Sequence, residues 1–279
     1  QMLNMIEPYD VGEMGYGSAK VMHLMIEAER RAYADRAEHL GDPDFYPVPV
    51  GQLVDKDYAR NRFGGFDPDQ AGKSADVDAG AFTPESKETT HLSIMDRDGN
   101  AVALTTTLNS GYGSHIVVEG AGFLLNNEMD DFSSKPNTLN QFNLIGREAN
   151  AIEPRKRMLS SMTPTIVLQE GKPVLVTGSP GGSTIITTVL QVLVNVIDHG
   201  MALSAAVSSP RFHHQWIPDS ITVEADSFSA DTLDALRAKG HSDIRPARYG
   251  LGDANSVMRV NGVLHGVEDP RTQGGAAGY

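Results

Sequence analysis

The sequence of 279 residues contains no cysteine. Disulfides, thiolate metal sites and cysteine nucleophiles are excluded together, while the compartment stays open because either redox environment tolerates a chain without thiols. Basic residues are scarce, 23 Lys and Arg against 36 Asp and Glu, for a formal net charge of -13. This balance favours solubility and repels nucleic-acid phosphates at long range, so nucleic acid is not an expected partner. No apolar run is long. The best, Ile185 to Ile197, is broken by Thr187, Thr188, Gln191 and Asn195 and falls short of the roughly 20 residues a membrane span needs. It reads as a buried helix, and no membrane span is expected. Gln1 stands where Met would, with no basic stretch leading into an apolar one, so no signal peptide is legible and the start reads as a cut edge. What is present, 40% hydrophobic residues, suffices for one large core or two modest ones.

From Gly17 to Leu40, apolar side chains at Val21, Leu24, Met25, Ala28 and Ala32 follow helical spacing with Glu27, Glu29, Arg30 and Arg31 between them, which predicts an amphipathic helix. Pro, Gly and Asp clusters follow, and Phe63 to Glu88 reads as an exposed linker. Leu92 and Ile94 then alternate with polar neighbours, Asp98-Gly99 supplies turn chemistry, and Val102 and Leu104 resume the alternation into Thr105-Thr106-Thr107, predicting a hairpin that starts near Thr89. Strands are expected at Thr165 to Leu168 and Val174 to Thr177 around a Glu170-Gly171-Lys172 turn, then a glycine-rich loop and a helix from about Thr184 to His199. A short helix carrying Leu233 and Leu236 comes next, then a hairpin pairing Val257 to Val260 with Val263 to Val267 across Asn261-Gly262. Strands joined by hairpins and interleaved with buried helices suggest a layered mixed sheet.

A threonine hydroxyl is a poor nucleophile, but a threonine at a chain N-terminus carries its own base, an α-amine of pKa about 7.7 to 8.0. Thr89 lies where the linker meets the first strand, a place where a peptide bond is open to cutting while the next residue is held by a sheet. Taken alone, Thr89-Thr90-His91 reads as a plain strand beginning with β-branched residues. His213-His214 invites a metal reading, yet neighbours on a strand point to opposite faces and no ligand cluster accompanies them. Asp96, Asp98 and Asn100 imitate a calcium loop but are followed by Ala101 and Thr107 where Gly and Glu belong, so a turn is expected. There is no Gly-x-Ser-x-Gly elbow and no Asn-x-Ser/Thr acceptor. Trp216, the single tryptophan, is expected in packing.

Four segments decide the matter: Thr105 to Asn109 (TTTLN), Gly122 to Phe132 (GFLLNNEMDDF), Leu159 to Thr165 (LSSMTPT) and Gly178 to Ser183 (GSPGGS). With Tyr33 to Arg36, Leu40 to Pro43, Pro210 to His213 and Asp269 to Arg271, they make the whole chain resemble the C-terminal half of a gamma-glutamyltransferase precursor. The resemblance implies an α+β fold, a four-layer αββα sandwich of the Ntn-hydrolase type. Residues 1–88 would close the large subunit and 89–279 would form the small, catalytic one. It implies autocatalytic cleavage before Thr89, then a γ-glutamyl ester on that residue, taken from a donor such as glutathione and resolved by water, an amino acid or a peptide.

By the same resemblance Thr107 orients the Thr89 hydroxyl, and the amides of Gly181 and Gly182 form the oxyanion hole, where glycine permits close approach. A P-loop is the rival reading of that loop, but no Lys-Ser or Lys-Thr pair closes it. Glu128 and Asp131 match the residues that hold the donor's α-ammonium, with Asn109 adding a hydrogen bond. Ser160 and Ser161 match the pair on the α-carboxylate, and the arginine completing that site belongs to the N-terminal portion of a precursor, outside this sequence. That portion is the expected polypeptide partner. No metal, nucleotide or flavin cofactor is implied, and the compartment implied is periplasmic or extracellular. Phe142, in a segment resembling the lid loop, replaces a tyrosine common in bacterial members and lacks the hydroxyl that would reach Asn109, which implies a looser lid. Arg211 and Arg271 match supporting arginines whose partners the sequence does not show. Two alternatives stay open: an acylase of the same family acting on a glutaryl-type amide, and an uncleaved, catalytically silent module.

Overall fold

The computed structural model describes residues 1–77, 89–133, 138–139 and 145–278, with 138–139 and 145–146 described by backbone alone. In chain order the elements are α1 (Met2–Ile6), α2 (Val11–Met14), α3 (Ala19–His39), α4 (Val50–Leu53), α5 (Lys56–Phe63), β1 (Thr89–Met95), β2 (Ala101–Thr107), β3 (Thr138–Leu139), β4 (Ile145–Gly146), β5 (Thr165–Gln169) and β6 (Lys172–Thr177). They continue with α6 (Thr184–Ile197), α7 (Leu203–Ser208), β7 (Phe212–His213), β8 (Ile221–Val223), α8 (Ala230–Ala238), β9 (Ile244–Pro246), β10 (Ser256–Val260) and β11 (Val263–Val267). This is an α+β chain. It folds as two compact units that interleave in sequence: residues 1–85, 128–160 and 212–248, and residues 86–127, 161–211 and 249–279.

The first unit is organised by α3, which starts at Ser18, whose side chain accepts the Val21 amide at 3.2 Å. Its charged positions do not face solvent as a simple amphipathic reading implies: Glu27, Glu29, Arg30 and Arg31 are all buried. Their partners are partly neighbours on the helix and partly distant in sequence, and Glu29, which accepts the His214 amide at 3.0 Å, keeps one oxygen without a partner among the described residues. Glu27 bonds Arg30 at 3.2 Å and Arg31 at 2.6 Å, and Arg30 also reaches Ser74 and Asp219. Over its described residues, 63–77, the expected linker is mostly exposed, with only Phe63 and Ser74 buried, but it is tied down by hydrogen bonds. Its Ala71 amide donates to Lys239 O at 2.7 Å, its Ser74 amide to Asp219 at 2.8 Å, and Trp216 Nε1 to Ser74 O at 3.1 Å. Phe63 and Phe66 stack at 4.8 Å. Asp67, Asp69, Gln70, Lys73 and Asp76 are exposed and Ser74 is the buried polar residue of this stretch; residues 78–88 lie outside the described residues. A three-stranded sheet of order β7-β8-β9 completes the unit, antiparallel between β7 and β8 and parallel between β8 and β9.

In the second unit, β1 and β2 form the expected hairpin, in register from Thr89↔Thr107 to Met95↔Ala101. The hairpin packs on a four-stranded antiparallel sheet of order β11-β10-β6-β5. Both tight turns adopt the left-handed conformations their residues favour: Glu170 and Gly171 have φ of 51° and 77°, Asn261 and Gly262 of 50° and 82°. The far face of this sheet is closed by α6 and α7 through Leu175, Val189, Val192, Leu193, Leu203 and Val207. Hairpin, sheet and helices thus stack as three layers. The outer face of the hairpin carries Leu92, Ile94, Val102 and Leu104, each about half exposed, while Thr89, His91, Thr105 and Thr107 point into the sandwich.

Candidate active site

Thr89 is the first residue of β1, and its hydroxyl donates to Thr107 Oγ1 at 3.2 Å across the first rung of the hairpin. The pairing follows from register, since β-branched residues directly opposite on one face bring their side chains together. Thr107 Oγ1 also accepts the amide of Asn109 at 2.8 Å. Asn109 adopts φ 75°, is buried, and donates from Nδ2 to Asn127 O at 3.2 Å. Thr89, Thr107 and Asn109 therefore form one hydrogen-bonded set.

The Gly178 to Ser183 loop leaves β6 directly and enters α6. Gly181 has φ 132° and Gly182 has φ 58°, backbone conformations that side chains resist. The carbonyl of Gly181 is held by Thr184, through its amide at 3.1 Å and its hydroxyl at 2.8 Å. The amides of Gly181 and Gly182 have no hydrogen-bond partner among the described residues. Two adjacent donors at a helix N-terminus, in a fixed loop, suit a developing oxyanion.

In the other unit, Glu128 and Asp131 open and close a 3-10 turn, Glu128–Asp131. Burial, the nearby Glu128 charge and a shared hydrogen bond push the Asp131 carboxyl up to about 8, against the opposing pull of Arg36. Burial also raises Glu128. Such a pair holds one proton between them at neutral pH and is electrostatically ready for a cation. Ser160 and Ser161 sit half-buried on the extended segment before β5, with Leu159 N tied to Asn150 Oδ1 at 2.9 Å. Phe142 lies outside the described residues.

His213 and His214 each have a local partner, His213 Nε2 on Gln215 at 2.8 Å and His214 Nε2 on Asp219 at 3.4 Å, rather than a common centre. A group that the sequence did not bring together is His23, Glu27 and His241, whose ligand atoms lie within 4.8 Å of one another. The Glu27 oxygens are already engaged by Arg30, Arg31 and the Gly72 amide, which marks the group as an ion-pair hub. Asp96 and Asn100 bond each other at 2.7 Å within a turn.

His91 was not singled out from the sequence. It is buried, its Nδ1 lies 2.8 Å from Thr105 Oγ1, and its Nε2 lies 2.9 Å from Ser93 Oγ. A histidine two residues after a strand-opening threonine, on the same face, was the available signal.

The gamma-glutamyltranspeptidase family model matches residues 1–279. The glutathione hydrolase proenzyme of Escherichia coli (strain K12) is 51% identical over 274 residues, covering 98% of this chain and 47% of that protein. The acylase ACY 1 proenzyme of Pseudomonas sp. (strain SE83) is 36% identical over 274 residues, 98% of this chain and 46% of that one. The chain thus spans about half the length of the curated relatives it matches. Among solved structures, an acivicin-inhibited gamma-glutamyltranspeptidase, whose C-terminus has critical roles in autoprocessing and catalysis, is 53% identical with a TM-score of 0.64, over 66% of this chain and 99% of that one.

Proposed function

Because this chain belongs to the gamma-glutamyltranspeptidase family, we propose that it is the catalytic half of an enzyme that transfers or hydrolyses γ-glutamyl groups, with glutathione as a donor. The observation that carries the reading is the hydroxyl of Thr89 lying on Thr107 at the first residue of a rigid strand. Cleavage of the Glu88-Thr89 bond frees an α-amine beside that hydroxyl. The amine takes the hydroxyl proton as Oγ attacks the γ-carbonyl carbon, and the tetrahedral oxygen is met by the amides of Gly181 and Gly182. Collapse of this intermediate breaks the C–N bond, the leaving amine takes the proton, and a γ-glutamyl ester remains on Thr89. Water, or the amine of an amino acid or peptide, then attacks the ester, giving its proton back through the α-amine.

On this reading Glu128 and Asp131 receive the donor's α-ammonium, Asn109 adds a hydrogen bond, and Ser160 and Ser161 receive its α-carboxylate. The paired acids favour an amine-bearing donor over the glutaryl-type side chain of an acylase, which has nothing to offer them. The half-exposed apolar face of the hairpin is assigned to the N-terminal portion of the precursor, in keeping with relatives about twice as long.

The test is intact mass and γ-glutamyl-4-nitroanilide turnover of the full-length protein. A new N-terminus at Thr89, lost together with turnover in Thr89→Ala, is the expected result. Full turnover by Thr89→Ala removes the assigned nucleophile, and absence of cleavage in the unaltered protein leaves the silent-module reading.

A further inference from the structure

His91 ties the nucleophile strand to the oxyanion loop by two routes. The first is direct contact. A Cβ added to Gly178, the residue that opens the loop, would fall 2.2 Å from His91 Cε1 and 2.4 Å from Nδ1, so the imidazole lies against bare glycine backbone. The second runs through side chains. Ser93 donates its hydroxyl proton to Asn255 O at 2.9 Å. Two residues away, the Asp253 amide donates to Ser179 Oγ at 2.8 Å, within the same loop. The two routes meet on Gly178-Ser179, just before the glycines whose amides are to stabilise the oxyanion.

The bonding also fixes the state of the ring. Because the Ser93 proton is committed to Asn255, Ser93 Oγ must accept from His91 Nε2–H, and Nδ1 is left to accept from the Thr105 hydroxyl. Neutral imidazole satisfies both neighbours; imidazolium would require the Thr105 hydroxyl to turn its proton away and accept instead. Burial, which holds the ring's pKa down to about 4, favours the same neutral form. His91 therefore acts as an uncharged, shape-specific spacer at the end of the sandwich where β1 begins and β6 ends.

Resting on the functional reading above, we propose that His91 is a positioning residue: it sets the height of the oxyanion loop over β1, and with it the placement of the Gly181 and Gly182 amides relative to Thr89. Misplacing a donor or nucleophile by about 1 Å costs on the order of 100-fold in rate, so loss of the spacer is read in kcat more than in KM.

The experiment uses the full-length protein, with cleavage at Thr89 followed by intact mass, kcat and KM measured on γ-glutamyl-4-nitroanilide, and thermal unfolding recorded for each variant. His91→Ala is expected to lower kcat by about 10- to 100-fold, with KM nearly unchanged. Gly178→Ala is expected to do the same when His91 is present, because the new methyl collides with the ring. In the double variant the methyl enters the space the ring has left, so Gly178→Ala adds little to His91→Ala, a non-additivity that a remote structural effect does not produce. His91→Phe keeps a ring while deleting both hydrogen bonds; an intermediate kcat in a folded protein is expected, and it remains informative if His91→Ala does not fold. The proposal is overturned by a folded His91→Ala or His91→Phe with wild-type kcat, by additive effects of the two substitutions, or by kcat falling only in proportion to the folded fraction. Failure of the unaltered protein to cleave or turn over counts instead against the functional reading, which keeps the two failures apart.

Discussion

Arg211 donates from Nη2 to Asp269 Oδ2 at 2.6 Å, with both side chains at or below 1% exposure. Arg271 reaches the other oxygen at 3.1 Å, and the Ala254 amide donates to Oδ2 at 2.7 Å. The two arginines matched from sequence thus share one carboxylate. Burial pushes Asp269 up, but Arg211, the Ala254 amide and Arg271 outweigh it and hold the group below the usual carboxylate range.

Asp269→Ala leaves two guanidiniums without their counter-charge, and removing one partner of such a buried pair costs about 3 to 5 kcal/mol. A large fall in Tm is expected. Since Asp269 also fixes the segment that carries Asp253, turnover should fall in the fraction that stays folded. The pH sign follows from the lowered pKa: the contribution is complete above the unfolded carboxylate value and is lost as pH falls through the folded one, so this cluster does not weaken the protein at pH 5 to 7. An Asp269→Ala variant as stable as the parent, or one whose deficit disappears between pH 7 and 5, contradicts the assignment.

Acid sensitivity should come from histidines instead. His23 Nε2–H donates to Asp67 O at 2.8 Å, so its Nδ1 accepts from His241 Nε2–H, also at 2.8 Å. Burial holds His23 below its ordinary value, His241 down to about 3 and His214 to about 4. These groups are neutral when folded but take up protons near pH 6.5 when unfolded, so stability is lost as pH falls below about 6.5, by up to about 1.4 kcal/mol per pH unit for each. Thermal unfolding between pH 8 and 4.5 should show a plateau followed by a steep decline, and His241→Gln should make the decline shallower. An unchanged slope in that variant removes the pair as its source.

The local elements were legible because their determinants are local. Asn261-Gly262 and Glu170-Gly171 specify their turns whatever surrounds them, and the alternation through Leu92, Ile94, Val102 and Leu104 specifies a hairpin. Alternation separates two faces without saying which is inside, and here the polar face of Thr89, His91, Thr105 and Thr107 is the inner one. The burial of Glu27 and Arg30 was not legible, because what makes it tolerable arrives from Gly72, Ser74 and Asp219. His23 and His241 meet across 218 positions, a distance no window of periodicity spans. The candidate site was legible as motifs, whereas the link from His91 to Gly178 required coordinates.

On the proposed function, Glu128 and Asp131 convert the donor's charge into a pH dependence. Because burial and mutual repulsion raise Asp131 to about 8, the pair is partly protonated at neutral pH, and an α-ammonium must displace that proton to bind. For a γ-glutamyl anilide, kcat/KM should therefore rise as pH goes from about 6 to about 8, as the pair loses its proton. For the glutaryl anilide, which lacks the ammonium, the rate should be low throughout and the rise shallower, set by the Thr89 α-amine alone. Asp131→Asn should lower kcat/KM for the γ-glutamyl donor by about 30- to 150-fold, the equivalent of about 2 to 3 kcal/mol for a charge-assisted bond. It should also raise Tm. A carboxyl whose folded pKa lies above its unfolded one destabilises the fold increasingly as pH climbs from about 4 to about 8, and the amide removes that penalty. Equal turnover of the two anilides, or pH profiles of the same shape for both, argues that the pair binds no ammonium, and it returns the acylase reading to first place.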